Sequence, residues 1–98
     1  MSASANSRLQ TGVQVLDYEL AEEMATSLGS AGRSAEEAIA ALEGLPETGA
    51  HREKLLKIAA EAVYAYFIQR ELCGLKRHDD VIRDMGIPRM VLARLGAR

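Results

Sequence analysis

The sequence predicts an all-α fold, a long antiparallel helical hairpin followed by two short C-terminal helices. Apolar residues recur every three or four positions through two long segments, which is the spacing of one helix face. The strongest helix-breaking signal of the chain, the Gly and Pro residues of "GLPETGA" at 44–50, lies between those segments. A composition rich in Ala, Glu, Leu and Arg and poor in aromatic residues also favours helix. The length of 98 residues fits a single domain, which we place at 13–98 behind a flexible N-terminus, 1–12.

The first helix is predicted from one apolar stripe. Its members are Val13, Leu16, Leu20, Met24, Leu28, Ala31, Ala35, Ala38, Leu42 and Leu45. Two glycines, Gly29 and Gly32, and a capping box that starts at Ser34 would allow a break into two helices. Because the stripe keeps its phase across 29–33, we expect one unbroken helix that is narrower at the two glycines, which have no side chain.

The second helix is predicted from about His51 to Cys73, with Gly74 ending it in the left-handed conformation that glycine adopts readily. On a helical wheel, one apolar stripe of this helix should face the first helix. That stripe contains Leu55, Ala59, Ala62, Val63, Tyr66 and Cys73.

A further apolar stripe lies on the other side of the second helix, in its C-terminal half. It consists of Tyr64, Ile68, Leu72 and Leu75, spaced four, four and three residues apart. We expect the apolar residues of the C-terminal segment 77–96 to fold on this stripe, and a partner subunit is the other candidate to cover it. Because a bare helical hairpin has a small core and such hairpins commonly pair into four-helix bundles, we expect a homodimer with these four residues at its interface.

The charge of the chain is unevenly distributed. Residues 1–68 carry five basic and ten acidic residues, whereas residues 69–98 carry seven basic and four acidic ones, and the total is −2. The net charge argues against a generally basic nucleic-acid-coating protein. A single cysteine, Cys73, cannot form an internal disulfide and fits a reducing compartment such as the cytoplasm. The sequence predicts neither a signal peptide nor a membrane span.

Residue types and spacings give little support for catalysis or metal binding. No Glu-x-x-His pair occurs, so the di-iron pattern of helical bundles is missing. Cys73 and His78, with the aspartates 79 and 80, lie within eight residues, but no second Cys or His stands at zinc-ligand spacing. The intervening Gly74 leaves Cys73 and His78 without a fixed geometry for nucleophile and base. His78 or Asp79 as a helix cap is the simpler interpretation, and we expect no metal, no cofactor and no enzymatic activity.

Two charged residues fall in the middle of predicted apolar faces. Asp17 lies on that of the first helix and Arg70 on that of the second. Buried charges are costly unless they are paired, so we expect Arg70 to bond an acidic residue of a first helix, within the chain or between chains. The alternative is that Arg70 extends its guanidinium to water at the edge of the hairpin.

The basic C-terminal segment resembles a helix-turn-helix in the positions of its glycine and proline residues. Gly86 and Ile87 fit a corner between two short helices, and Pro88 fits the start of the second. That second helix, "PRMVLARL", is mostly apolar, whereas a base-reading helix exposes polar side chains. We therefore interpret 77–98 first as a packing element. Nucleic-acid binding is the alternative function, through phosphate contacts of Arg83, Arg89, Arg94 and Arg98.

Three segments carry a family resemblance. "LDYELAEEMATSLGSAGR" (16–33), "YFIQRELCGL" (66–75) and "DVIRDMGIPRMVLARLG" (80–96) together resemble a family of small uncharacterised bacterial proteins, classed as a domain of unknown function. The resemblance spans most of the chain from about residue 13 and implies no chemistry. The residues themselves predict a non-enzymatic, homo-oligomeric interaction or structural module in the cytoplasm, with a second protein as another candidate partner.

Overall fold

The computed structural model describes residues 2–96, with side chains from residue 14 onward, and within that range it has four α-helices and no strand. In chain order these are α1 (Ser2–Ala40), α2 (Ala50–Leu72), α3 (Asp79–Met85) and α4 (Arg89–Leu92). The predicted all-α fold is confirmed, because α1 packs on α2 as a hairpin and α4 packs on α2. The side chains of residues 1–12 lie outside the described range, so the predicted flexibility of this N-terminus stays a prediction.

The helix α1 runs without a break through both of its glycines, as predicted. Gly32 lies against the ring of Tyr66, and a Cβ at this position would stand 3.2 Å from the Tyr66 Cε1 atom. Because Gly32 has no side chain, an aromatic ring of α2 packs directly on the α1 backbone. This contact also fixes the register of the hairpin, because antiparallel helices advance equally from a shared level. Leu72, the last residue of α2, is accordingly level with Thr26 of α1.

The connection between α1 and α2 is a tight turn, as the breakers predict. The end of α1 tightens, and the Leu42 N–H donates to the Ile39 carbonyl at 3.0 Å. The helix therefore ends at Ala40, a few residues before its apolar stripe does. Gly44 and Gly49 have φ angles of 76° and 124°, which residues with a Cβ rarely adopt.

A Schellman motif ends α2. Gly74 has a φ of 88°, and its N–H donates to the Glu71 carbonyl at 3.0 Å. The next N–H, of Leu75, donates to the Arg70 carbonyl at 2.9 Å. The predicted role of Gly74 is confirmed, although the helix itself ends one residue earlier than expected, at Leu72.

The core lies on two adjacent faces of α2. The predicted face toward α1 is there, with Ala59 and Val63 buried and other members of that stripe half-buried. A neighbouring face, formed by Leu56, Ala60 and Phe67, is also buried and was not predicted. Among residues 14–96, the buried ones are Ala35, Ile39, Leu42, Leu56, Ala59, Ala60, Val63, Phe67, Ile87 and Val91.

The C-terminal segment runs back along the second of these faces. At one end the His78 ring stacks on Phe67, with 4.1 Å between ring centroids and 3° between planes. At the other end Arg94 bonds Glu53 in the first turn of α2. Between these two ties, Ile87 and Val91 (the latter on α4) are buried in the core. α3 and α4 therefore cover the side of α2 that includes Leu56 and Phe67.

Candidate functional site

The predicted apolar stripe on α2 stays exposed in the single chain. The exposed fractions are 47% for Tyr64, 39% for Ile68, 67% for Leu72 and 43% for Leu75. The first three lie on one face of α2 at four-residue spacing, and the turn at Gly74 adds Leu75. We call these four residues the α2 stripe.

The expectation that the C-terminal helices cover the α2 stripe is wrong. Ile87 and Val91 pack into the core beside Leu56 and Phe67, on a different side of α2. Two contacts hold the segment on that side, the stacking of His78 on Phe67 and the bonds from Arg94 to Glu53. At the Tyr64 end of the stripe, Gly96 of the C-terminal segment lies close to the Tyr64 ring, and a Cβ there would stand 3.6 Å from it.

A second exposed apolar surface lies on the N-terminal half of α1. Because Leu72 is level with Thr26, the part of α1 that precedes Thr26 extends beyond the end of α2, and we call residues 2–25 the overhang. Its apolar side chains Leu16, Leu20 and Met24 are 61%, 56% and 37% exposed. The predicted stripe of the first helix is thus buried only in its second half, where α2 lies against it.

The overhang is also acidic. No basic residue occurs between Arg8 and Arg33, whereas four acidic residues, Asp17, Glu19, Glu22 and Glu23, follow within that interval. All four are exposed. The overhang therefore combines an uncovered apolar stripe with a concentrated negative charge.

Asp17 and Arg70 do not meet within the chain. Asp17 is exposed on the overhang, and the Arg70 guanidinium donates to the Arg77 carbonyl at 2.9 Å and to His78 Nδ1 at 3.2 Å. Because a guanidinium only donates, His78 Nδ1 accepts, and the ring proton on Nε2 faces Glu71 Oε2 at 2.9 Å. Arg70 thus ties α2 to the segment that follows it. Its pairing with a first helix of another chain stays a prediction.

The two ring nitrogens of His78 bond Arg70 and Glu71 and do not cap α3. His78 occupies the position before α3, but its side chain makes no cap bond to that helix. Asp79 and Asp80 lie in the first turn of α3, as predicted, where carboxylates interact favourably with the helix dipole. Pro88 precedes the first residue of α4 instead of being it.

The C-terminal arginines are in part engaged by carboxylates. Arg94 holds Glu53 with two bonds, of 2.7 and 3.0 Å, and Arg83 lies 3.3 Å from Asp80. Arg89 is exposed on α4, a helix of four residues. Arg98 lies outside the described residues. Four residues make about 6 Å of helix, which is short for a helix that reads bases in a groove.

The Glu53–Arg94 pair links residues 41 positions apart, and no local sequence signal predicts it. The hydrogen bond from Arg94 lowers the pKa of the Glu53 carboxyl below its usual value of 4.5. The same bond raises the pKa of Arg94. The pair fastens the end of the C-terminal segment to the first turn of α2.

This pair gives a pH-dependent prediction. Because the folded-state pKa of Glu53 is depressed, its contribution is present above the unfolded-state value and is lost as the pH falls through the folded-state value. We expect Glu53→Gln to lower the melting temperature at pH 7, and the difference from wild type to be smaller at about pH 3, below the usual carboxyl range. Glu61→Gln, at an exposed carboxylate on the same helix, is the control and should leave melting unchanged at both pH values. A Glu53→Gln effect equal at both pH values would contradict this role.

A groove adjoins the α2 stripe at Tyr64. It has a volume of about 820 Å³ and lies between α2 and the residues after α4. Its lining is Glu53, Lys54, Lys57, Ala60, Glu61, Tyr64, Arg94 and Gly96. Its charged side chains are mixed, three basic and two acidic, so the groove has no strong preference for one charge of ligand.

Other chemistry receives little support from the geometry. Among the side chains of residues 14–96, no group of three His, Cys, Asp or Glu residues is arranged to hold a metal ion. Cys73 is a half-buried free thiol at the end of α2. Within the part of the chain that the structure describes, no helix is long and apolar enough to cross a membrane.

The family of the chain is established by comparison with known families. Residues 4–98 match the model described as "Family of unknown function (DUF6665)", and the chain belongs to this family. The predicted resemblance to a domain of unknown function is thereby confirmed, while a bacterial origin stays a prediction. No curated protein and no solved structure matches the chain.

Proposed function

We propose that this member of a family of unknown function is a non-enzymatic interaction module that works as a homodimer in the cytoplasm. The observation that carries the proposal is the exposed α2 stripe, four large apolar side chains on one face of a long helix. Burying such a stripe against a second chain stabilises an assembly through the hydrophobic effect. The lone Cys73 fits the reducing cytoplasm.

The surface area of the chain supports assembly. One chain exposes 7366 Å², whereas a compact monomer of 10.6 kDa exposes about 5,500 Å². The excess of about 1,900 Å² lies in the range of about 1,000–2,500 Å² that each subunit of an obligate homodimer buries. The radius of gyration, 19.3 Å, likewise exceeds the value of about 13 Å for a compact chain of this length.

The helix energetics point in the same direction. Most of the stability of a protein helix comes from packing of its apolar face against other elements. The overhang contains apolar side chains with no such packing within the chain, and its acidic residues repel each other. A second chain that covers the overhang would supply the missing stabilisation.

Light scattering across a dilution series tests the proposal. We expect a mass of about twice 10.6 kDa at about 100 μM protein, falling toward the monomer mass only on strong dilution. A mass of 10.6 kDa at every concentration would overturn the proposal.

A further inference from the structure

We infer that the surface occupying the α2 stripe is the overhang of a second copy, so that each chain of a two-fold dimer places its overhang along the α2 of its partner. This inference rests on the proposed homodimer and specifies how it is built. One chain carries one overhang and one stripe, so a two-fold axis satisfies both at once and closes the assembly.

The lengths of the two elements match. Pairing α1 with the α1 of a second copy in antiparallel fashion about Ala25, where the overhang ends, places residue n of the overhang level with residue n + 48 of the partner's α2. Ser2 is then level with the first residue of that helix, and Met24 with its last. Residues 14–24, whose side chains the structure describes, are therefore level with residues 62–72, the part of α2 that carries Tyr64, Ile68 and Leu72.

The apolar side chains match in the same register. Leu16, Leu20 and Met24 follow one another at intervals of four residues, as do Tyr64, Ile68 and Leu72. The pairing places the first set level with the second, one for one, and all six are exposed in the single chain. Three of the four residues of the α2 stripe thus face an apolar side chain of equal spacing, which favours burial of both surfaces.

The charges are complementary at the end of the stripe. Between residues 14 and 25, the overhang carries four acidic residues and no basic one. Lys76 and Arg77, both exposed, directly follow the α2 stripe, and the Arg77 carbonyl accepts a bond from Arg70, which the pairing places level with Glu22. Opposite charges at the rim of an interface favour this pairing over one that brings two acidic overhangs together.

Disulfide trapping tests the inference in the full-length protein. With Cys73 replaced by Ser, the pair Leu20→Cys and Ile68→Cys places one thiol on the overhang and one on the stripe. Within one chain these positions are separated by ten residues along the hairpin axis, about 15 Å, which no disulfide spans. Every disulfide between them therefore joins two chains.

The matched control moves the first cysteine to the other side of the overhang. Glu22→Cys with Ile68→Cys lies two residues further along α1, about 160° around the helix from Leu20. We expect covalent dimer from the Leu20 pair at about ten times the yield of the control, because a disulfide needs Cα atoms about 4.4–6.8 Å apart.

The outcomes separate the inference from the proposed function. If light scattering gives a dimer but the Leu20 pair yields no more covalent dimer than the control, the homodimer stands and the reciprocal overhang is overturned. If light scattering gives a monomer throughout, the proposed function fails and the inference fails with it. A high yield confined to the Leu20 pair supports both.

Discussion

Ile68→Glu is expected to dissociate the dimer. Ile68 lies at the centre of the α2 stripe, 39% exposed in one chain, and the proposed interface buries it. A carboxylate there would lose its hydration without a partner, so we expect a loss of about 3–5 kcal/mol, or at least about a 100-fold weaker association. Light scattering at micromolar concentration should report the monomer mass, while circular dichroism should report helix content near that of wild type.

Ile58→Glu is the control for this substitution. Ile58 belongs to the same helix and is exposed to a similar extent, 43%, but it lies about 80° around the helix from Ile68. The control should remain a dimer. Equal dissociation of both variants, or of neither, would show that the α2 stripe is not the interface.

Leu56→Ala is expected to have the largest effect on folding stability. Leu56 is 1% exposed and belongs to the face of α2 that receives the C-terminal segment. Truncation of a buried leucine leaves a cavity and costs about 2–5 kcal/mol of the free energy of unfolding. For a domain of this size that lowers the melting temperature by about 10 °C or more. Thermal denaturation at one fixed protein concentration measures the shift, since dilution itself changes an oligomer's stability.

Ile58→Ala serves as the comparison for Leu56→Ala. It removes a similar aliphatic side chain from an exposed position two residues away. We expect a change within about 0.5 kcal/mol in the free energy of unfolding. If Leu56→Ala were as mild as Ile58→Ala, the C-terminal segment would not pack where the structure has it.

The turns of the fold could be predicted from sequence because glycine marks backbone conformations that other residues avoid. Gly49 and Gly74 have positive φ angles at the start and the end of α2, and both stand where the breakers predict. Gly86, with a φ of 63°, likewise ends α3 at the expected corner. Local backbone preference decides these positions, so a local pattern suffices to find them.

The path of the C-terminal segment could not be predicted, because periodicity shows that a face is apolar but not which element covers it. The α2 stripe and the face around Leu56 and Phe67 both offered apolar surface to the segment. The choice depends on contacts between distant residues, the stacking of His78 on Phe67 and the bonds from Arg94 to Glu53. Neither contact has a signature in the sequence near its members.

The candidate interface was predicted in part. Four-residue spacing identified the α2 stripe before its exposure was known, because that spacing defines one face of a helix. The overhang was not predicted, since the apolar stripe of α1 continues in phase past the end of α2. Only the register set by Gly32 and Tyr66 shows where α2 ends beside α1. The relation between the two surfaces therefore required the folded hairpin.

Small-angle X-ray scattering of the wild-type protein tests the central claim most directly, because it gives mass and length together. A reciprocal dimer overlaps its two chains through the overhangs, so it is twice as heavy as one chain but hardly longer. We predict a mass of about twice 10.6 kDa with a longest dimension still close to the 72 Å of one chain. A mass of 10.6 kDa, or a dimer longer than about 100 Å as end-to-end association would produce, would contradict it.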